Sequence, residues 1–390
     1  MKEILKSRLT GLRESISAFS GKLERVGLDS GGKETMDRLI TDGMKEHGYE
    51  DILVDKAGNI SGTIKSGRDE GDLVILSHMD TNVGLELAAG EGFKNGIING
   101  LFAGALLKSS LAALSGNIVF ACASRLNGGE FGAEYLFGET LKNRKNKIKG
   151  VLLCEPTGLN IFLGHKGRME YEIEVSGQFI EKNGGSRMQV SFPLIRELAR
   201  ISDTLPTDDF LGKSNISVRH INDAKALPGE PKNGVRLTVD RVFIPQEERQ
   251  AILSRAKSVA ETVYASNGPL QVNTSVVTEK VRTAGGLEFM LEKKHDPWLM
   301  DSTHSFVQRS IEALSDAGIK AKAGYWKNAL TLGSLTCGRL KLPTVGFGPL
   351  LEDTQGMAEL ELLSKAVYGA SWIAHRAVGI PAFGWTSDDF

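Results

Sequence analysis

The sequence VILSHMDTN at Val74–Asn82 is an apolar run that ends abruptly in polar residues. A continuous apolar run of this length is typical of a strand that is covered on both faces, as in a parallel sheet. His78 and Asp80 come at its carboxyl end, which is where parallel strands carry functional side chains. The run therefore predicts a buried parallel strand, and His78 and Asp80 are candidates for half of a metal site.

Strand and helix patterns alternate on both sides of this run. The first fifty or so residues have the apolar periodicity of two helices, and the runs GNIVFACAS and IKGVLLCEPT read as further buried strands with helical segments between them. The same pattern resumes from about Phe306, with the buried strand KLPTVGFGP and a closing helix. This alternation predicts an α/β fold with a mainly parallel sheet flanked by helices.

The middle of the chain has a different pattern. RMEYEIEVSG and VRLTVDRVF alternate apolar and polar residues with period two, as half-exposed antiparallel strands do, and two helical segments fall among such strands. We therefore expect an inserted α+β domain over residues 165–285. The α/β domain is expected to be discontinuous, with residues 1–164 before the insertion and 286–390 after it.

Composition narrows the classes of function and location. The chain has 47 Lys and Arg against 48 Asp and Glu, so no positive field favours nucleic acid or an anionic membrane. The sequence contains neither a signal peptide pattern nor an apolar run long enough to span a membrane. Its three cysteines are widely spaced, which is typical of reduced thiols. We expect a cytoplasmic protein with small-molecule or protein partners.

Five motifs occur along the chain in the order SHMDT, EPT, GHKGR, VDRVFIPQEE and PTVGFGP. In this order the chain resembles, over nearly its whole length, the aminoacylase, succinyl-diaminopimelate desuccinylase and glutamate carboxypeptidase family of di-zinc metallohydrolases. The resemblance implies a zinc-peptidase-like α/β domain and an inserted ferredoxin-like domain that serves as lid and dimerisation domain. It also implies two zinc ions with a bridging Asp, and a Glu that acts as general base on the bound water.

Part of the family's metal site is present. In this resemblance His78 matches the His that ligates one zinc, and Asp80 matches the carboxylate that orients its ring from the second shell. Glu155, at the end of the run VLLCEPT, matches a carboxylate ligand of the same zinc.

Other positions of the resemblance are substituted. Ala103 is placed at the bridging Asp, Leu126 at the general base, and Asn127 at the neighbouring zinc ligand. Gln355 stands where a His ligand is expected, and Glu181 stands near a His that polarises the substrate carbonyl. Because a leucine cannot accept a proton, the resemblance predicts that the activation of water is lost.

Two interpretations of the remaining groups stay open. The first is a mononuclear metal site, completed by another side chain from the set Glu130, Cys154, Glu352 and Asp353. The second is a hydrogen-bonded polar cluster that needs no metal, because a carboxylate can pair with a neighbouring His. We expect no metal or one zinc, and not a full di-zinc centre, because zinc sites normally have three or four protein ligands.

Three cationic or imidazole side chains are candidates for substrate binding. His165 and Arg168 lie in GHKGR, and Arg241 lies in VDRVF. The alternative for the first pair is a hinge into the inserted domain, because flanking glycines mark turns more often than sites. The alternative for Arg241 is a structural salt bridge.

Two functions are consistent with these substitutions. The first is a pseudoenzyme that binds a small amide or amino-acid-like ligand, or that serves as the partner subunit of an active enzyme. The second is a divergent amidohydrolase or deacylase with a mononuclear or rebuilt metal site, so the sequence leaves open whether the chain is an enzyme. With either function, the resemblance implies a homodimer in which exposed strand edges of the inserted domain pair across a two-fold axis.

Overall fold

A computed structural model describes residues 1–26, 32–79, 92–124, 130–177, 187–223, 234–267, 270–282, 286–350 and 358–380. The chain forms two compact units. The first contains Met1–Gly164, Arg282–Glu288 and Leu299–Phe390, and the second contains His165–Val281 and Phe289–Trp298. The sequence division had assigned residues 289–298 to the α/β domain. They group with the second unit because Lys294 and His295 pair with Met169 and Arg168 of its sheet.

The first unit contains helices and strands in alternation. Its helices are α1 (Lys2–Val26), α2 (Gly32–Glu46), α3 (Gly92–Ser109), α4 (Phe131–Tyr135), α7 (Ser305–Ala317) and α8 (Glu359–Val378). Its strands are β1 (Glu50–Val54), β2 (Ile60–Ile64), β3 (Asp72–His78), β4 (Asn117–Ala123), β5 (Ile148–Leu153), β6 (Ile161–His165), β16 (Trp298–Leu299), β17 (Ala323–Trp326) and β18 (Thr344–Gly346). The last residue of β6 and the first of β16 belong to the second unit. A helix that spans a membrane needs about twenty mostly apolar residues, and the described residues contain no such helix.

These strands form one nine-stranded sheet in the order β1-β2-β4-β3-β5-β18-β6-β16, with β17 also paired to β6. The strands β4, β3, β5 and β18 run parallel to one another in the centre. On one side β2 pairs antiparallel with β4 and with β1, and on the other side β6 pairs antiparallel with β18. Every residue of β3 and of β4 is buried, as the apolar runs predicted. The predicted α/β class with a mainly parallel sheet is confirmed.

Helix α3 packs against this sheet through its glycines. A Cβ atom at Gly100 would lie 2.4 Å from the ring of Phe120 on β4, and one at Gly104 would lie 2.1 Å from the hydroxyl of Tyr49. That hydroxyl donates a hydrogen bond of 2.8 Å to the carbonyl of Leu101. The small residues of α3 therefore allow the middle of the helix to approach the strands closely.

The second unit is the predicted inserted domain. Its helices are α5 (Arg187–Asp203) and α6 (Arg249–Val263). Its strands are β7 (Gly167–Gly177), β8 (Thr207–Asp208), β9 (Gly212–Lys213), β10 (Asn215–Asp223), β11 (Gly234–Phe243), β12 (Leu270–Val276), β13 (Thr278–Arg282), β14 (Glu288–Glu292) and β15 (Lys294–His295). The last residue of β13 and the first of β14 belong to the first unit. The main sheet has the antiparallel order β10-β11-β7-β12, and β15 also pairs with β7. With its two helices, this order is that of a split βαβ fold of the ferredoxin type.

One face of this sheet forms the core of the second unit. Alternate residues of β7 are buried, and they pack with buried residues of α5 and α6. The members of the core include Met169, Tyr171, Ile173, Val175, Leu194, Leu198, Val235, Leu237, Val239, Phe243, Ala256 and Ala260. The period-two pattern of the sequence therefore predicted both the strands and their buried face correctly.

Candidate functional site

The carboxyl ends of the central parallel strands meet at one edge of the large sheet. His78, the last residue of β3, pairs with Ala123 of β4, and Leu76 of β3 pairs with Leu153 of β5. If the pairing of β3 with β5 is continued two residues beyond Leu76 and Leu153, His78 lies beside Glu155. In parallel strands, residues in register direct their side chains to the same face, so the fold itself brings these two residues together.

His78 and Glu155 form a buried pair at this edge. The Nε2 atom of His78 lies 3.5 Å from Oε2 of Glu155, and the two residues are 4% and 6% exposed. This separation is longer than the usual 2.7–3.2 Å of a direct N–H···O hydrogen bond. Two ligands bonded at 2.0–2.1 Å to one tetrahedral zinc would lie about 3.4 Å apart. The pair therefore has the spacing of two ligands of a single ion.

Backbone contacts hold Glu155 and its neighbour Cys154 on both sides. A Cβ atom at Gly348, which follows β18, would lie 2.5 Å from the carbonyl oxygen of Glu155. A Cβ atom at Gly96, in the second turn of α3, would lie 2.2 Å from the carbonyl oxygen of Cys154 and 2.8 Å from the hydroxyl of Ser77. The first turns of α3 thus lie against the carboxyl ends of β3 and β5.

Asn99 is a polar residue of this region that the sequence patterns did not indicate. It is fully buried, and its Nδ2 donates a hydrogen bond of 3.1 Å to the carbonyl of Phe347 and lies 3.6 Å from Sγ of Cys154. One turn separates it from Gly96. A buried amide inside an otherwise apolar and glycine-rich helix is the signal that could have identified it.

Ala103 lies farther along the same helix. It is fully buried, and its carbonyl accepts a hydrogen bond of 3.1 Å from the hydroxyl of Ser371 on α8. Seven residues of α-helix separate it from Gly96, or about 10 Å along the axis. The α3 residues that contact the strand ends are therefore Gly96 and Asn99, and Ala103 lies at the packing of α3 on α8.

Two of the groups proposed to complete a metal site are described. Glu130 is 5% exposed and forms an ion pair with Arg339, which also pairs with Glu134. Burial, together with the charge of Glu155, raises the pKa of the Cys154 thiol. That thiol is therefore protonated at neutral pH, and neither a nucleophilic thiolate nor a ready metal ligand is favoured there.

Other residues predicted for the site lie outside the described residues. They are Asp80, Leu126, Asn127, Glu181, Glu352, Asp353 and Gln355. Within the described ranges, no group of three or more His, Cys, Asp and Glu side chains is arranged to hold a metal ion.

The candidate substrate-binding residues belong to the second unit. His165 is fully buried, its Nδ1 lies 2.8 Å from the carbonyl of Lys166, and its ring packs edge-on against Trp298. Arg168 makes two hydrogen bonds, of 2.7 and 2.9 Å, to the two carboxylate oxygens of Asp240. Asp240 also receives hydrogen bonds from Arg219. These contacts give Arg168 a bidentate partner inside its own domain.

Arg241 is similarly engaged. Its side chain is 2% exposed and forms an ion pair with Glu247. One of its terminal nitrogens donates a hydrogen bond of 3.1 Å to the carbonyl of Asn215. Burial lowers the pKa of Arg241, and Glu247 opposes that shift. Its described contacts correspond to the structural salt bridge that the sequence left open as the alternative to substrate binding.

Comparison of the sequence with known proteins gives a partial match. No known protein-family profile matches the sequence. The chain is 25% identical over 203 residues to the uncharacterized protein YgeY of Escherichia coli, a match that covers 51% of this chain and 49% of that protein. The chain thus spans about half the length of the curated relatives it matches.

Solved structures match over almost the whole chain. The YxeP protein of Bacillus subtilis, described as a dinuclear metal binding peptidase of the M20 family, superposes with a TM-score of 0.64 at 16% identity, covering 92% of this chain and 98% of YxeP. The dipeptidase Dug1p of Saccharomyces cerevisiae superposes with a TM-score of 0.63 at 11% identity, covering 97% of this chain and 98% of Dug1p. Human carnosine dipeptidase 1 superposes with a TM-score of 0.61 at 11% identity, covering 97% of this chain and 100% of that protein.

Proposed function

We propose that this chain, which has the fold of these peptidases and dipeptidases, is a divergent member of the di-zinc metallohydrolase family that it resembles, and that it binds a small amide or amino-acid-like ligand without hydrolysing it by a dinuclear mechanism. One observation carries the proposal. The described part of the site offers His78 and Glu155 as a pair, with no third His, Cys, Asp or Glu arranged with them as a metal ligand. The resemblance places Leu126 and Asn127 at the general base and its neighbouring ligand, which supports a pseudoenzyme.

A second candidate is an amidohydrolase or deacylase that retains a single zinc. The 3.5 Å separation of His78 Nε2 and Glu155 Oε2 favours it, because two ligands of one tetrahedral ion would stand at about that distance. In this function His78 and Glu155 would hold the ion, and the zinc would supply an activated water for attack on the amide carbonyl. A third ligand would have to come from another side chain.

Metal content is the first test of these candidates, because only the second requires a bound zinc. The zinc content of protein purified without chelators is measured by inductively coupled plasma mass spectrometry. The variants His78→Ala and His220→Ala are measured in parallel. His220 is exposed on β10 and serves as the matched control. The binding proposal expects at most one zinc per chain. If a zinc is present, His78→Ala should lose it and His220→Ala should keep it.

A hydrolysis assay then decides whether the site is catalytic. Acylated amino acids and dipeptides are incubated with the wild-type protein and with His78→Ala, and the released amine is measured. The binding proposal expects no turnover from either protein, together with saturable binding of at least one such compound by calorimetry. One zinc with turnover that His78→Ala abolishes would establish the second candidate instead. Two zinc ions per chain with turnover would refute both.

We further propose a homodimer formed through the inserted domain. Strand β10 is the outermost strand of its sheet order, and Met188 and Phe192 on α5 are 61% and 59% exposed. An outer strand and exposed apolar side chains favour self-association. Sedimentation at micromolar concentration should give twice the chain mass, and Phe192→Glu should shift the protein toward monomer. A wild-type monomer would argue instead for a partner subunit of an active enzyme.

The proposed compartment is the cytoplasm. Cys122, Cys154 and Cys337 are free thiols, and the first two are buried. Reduced cysteines are typical of proteins in a reducing compartment, which supports this location.

A further inference from the structure

The inserted domain contains a cavity of about 430 Å³ between its two helices and its sheet. Apolar side chains form most of its walls, and they include Leu198 and Ile201 on α5, Ile252 and Val259 on α6, and Ile216 on β10. Small-molecule sites are usually apolar cavities of this size with a few polar groups that orient the ligand. The cavity belongs to the second unit, whereas His78 and Glu155 belong to the first.

Most polar side chains of the lining already have partners within the domain. The amide of Gln246 donates a hydrogen bond of 2.8 Å to Asp208. Arg241 forms an ion pair with Glu247, which also accepts a hydrogen bond from the hydroxyl of Ser214. These groups are therefore occupied before any ligand enters.

Arg255, on α6, is a cation of the lining that is not occupied in this way. It is exposed, and it makes no hydrogen bond or ion pair with any of the described residues. Burial lowers the pKa of Arg241, Glu247 opposes this shift, and the charge of Arg255 lowers the pKa further, so the two guanidinium groups lie near each other. Because Glu247 is the carboxylate that compensates Arg241, this part of the cavity has an excess of positive charge.

Glu248 is the other charged lining residue without such a partner. It is the N-cap residue of α6, its side chain makes no capping hydrogen bond, and it has no ion pair with the described part of the chain. It precedes Arg255 by seven residues, which is about 10 Å along the helix axis. Exposed charges at that distance are largely screened at physiological ionic strength. Glu248 therefore does not neutralise Arg255, but it does disfavour an anion at its own end of the cavity.

We infer that this cavity is a second binding site, for a small monocarboxylate with an unbranched apolar chain, whose carboxylate pairs with Arg255 and whose chain lies against the apolar walls. The carboxylate stays at an exposed guanidinium, so the ligand binds without full burial of its charge. An ammonium group in the same place would be repelled by Arg255. Arg255 and Glu248 together favour one orientation of the carboxylate.

The test compares octanoate with octylamine, which have chains of similar length and opposite charges at neutral pH. Binding to the full chain is measured by titration calorimetry. Octanoate should bind saturably at millimolar concentration or below, and octylamine should bind at least about fivefold more weakly because its charge is repelled. Hexanoate is two methylene groups shorter and should bind about five- to fifteenfold more weakly than octanoate, because it buries less apolar surface.

Substitutions on α6 localise the binding. Arg255→Gln should weaken octanoate binding by about three- to tenfold and should remove the preference over octylamine. Lys257→Gln is the matched control, because Lys257 is an exposed cation of the same helix outside the lining, and it should bind normally. Ala251→Phe, at an exposed residue of the lining, should prevent entry of the chain, whereas Ser254→Phe, exposed but outside the lining, should not.

The outcomes are distinguishable from those for the site in the first unit. His78→Ala should leave octanoate binding unchanged, whatever its effect on metal content. The inference is overturned if octanoate does not bind saturably, or if octylamine or hexanoate binds as tightly as octanoate. It is also overturned if Arg255→Gln or Ala251→Phe, shown to be folded by circular dichroism, binds octanoate like the wild type.

Discussion

Gly348 lies against the backbone of Glu155, so closely that a Cβ atom at Gly348 would stand 2.5 Å from the Glu155 carbonyl oxygen. The position of this carboxylate therefore depends on the absence of a side chain on a neighbouring strand end. Thr157 adds to the same junction, because its hydroxyl accepts a hydrogen bond of 3.0 Å from the amide of Gly348. The edge of the sheet is held by backbone contacts as much as by side chains.

Substitution of Gly348 by alanine should displace Glu155 from His78. Backbone atoms cannot yield as a flexible side chain can, so we expect the free energy of unfolding to fall by about 1–3 kcal/mol. Binding of a zinc ion or ligand at the His78 and Glu155 pair should weaken in parallel. Urea denaturation and metal analysis measure the two effects. Gly138→Ala is the control, because a Cβ atom there has no neighbour within 4 Å, and an equal effect of both variants would contradict the explanation.

Arg168 should prove to be a stabilising residue of the inserted domain. It holds Asp240 in a bidentate pair, with side chains that are 16% and 6% exposed. Because its removal deprives a buried carboxylate of its main partner, Arg168→Met should lower the free energy of unfolding by about 3 kcal/mol. Arg219→Met is the comparison, since Arg219 binds the same carboxylate but its side chain is 50% exposed, and it should cost under about 1 kcal/mol. Normal stability with lost ligand binding in Arg168→Met would favour the substrate-binding role instead.

The stability of the chain should depend on His375 in mildly acidic solution. Burial, and then the charge of Arg376, lower the pKa of His375 from 6.5 to about 4. The folded state therefore binds this proton less readily than the unfolded state. The contribution of His375 is fully present above pH 6.5 and is lost as the pH falls toward 4. The loss should reach about 2–3 kcal/mol. In His375→Gln this part of the pH dependence should disappear from urea denaturation curves, whereas His220→Gln should retain it.

Burial patterns explain how much of the fold could be predicted. The run at β3 is buried at every residue and β7 alternates between buried and half-buried residues, so the sequence reveals the parallel sheet and the antiparallel insertion directly. Strand β13, TEKVR at Thr278–Arg282, was missed because four of its five residues are exposed, and β14 and β15 were missed because they are short. Short exposed strands that pair locally carry no strong apolar pattern.

The site was harder to predict than the fold. Helix α3 begins at Gly92, so its glycines lie inside a helix and give close contact with the strands, which the sequence spacing alone does not show. Arg241 lies among the buried residues of β11. Its partner Glu247 comes into contact with it only through the fold of the turn after the strand. Pairing of this kind depends on tertiary structure, which spacing along the chain does not encode.

The position of β18 has a consequence for synthesis on the ribosome. This strand, at Thr344–Gly346, lies between β5 and β6, which precede it by almost two hundred residues. The centre of the large sheet cannot close until nearly the whole chain has been made, whereas the strands and helices of the main sheet of the inserted domain are complete by Val276. Until then β5 exposes an unpaired apolar edge, which is prone to aggregation. We therefore expect nascent chains that lack β18 to be chaperone substrates, and slow refolding of the α/β unit because its contacts span such long separations.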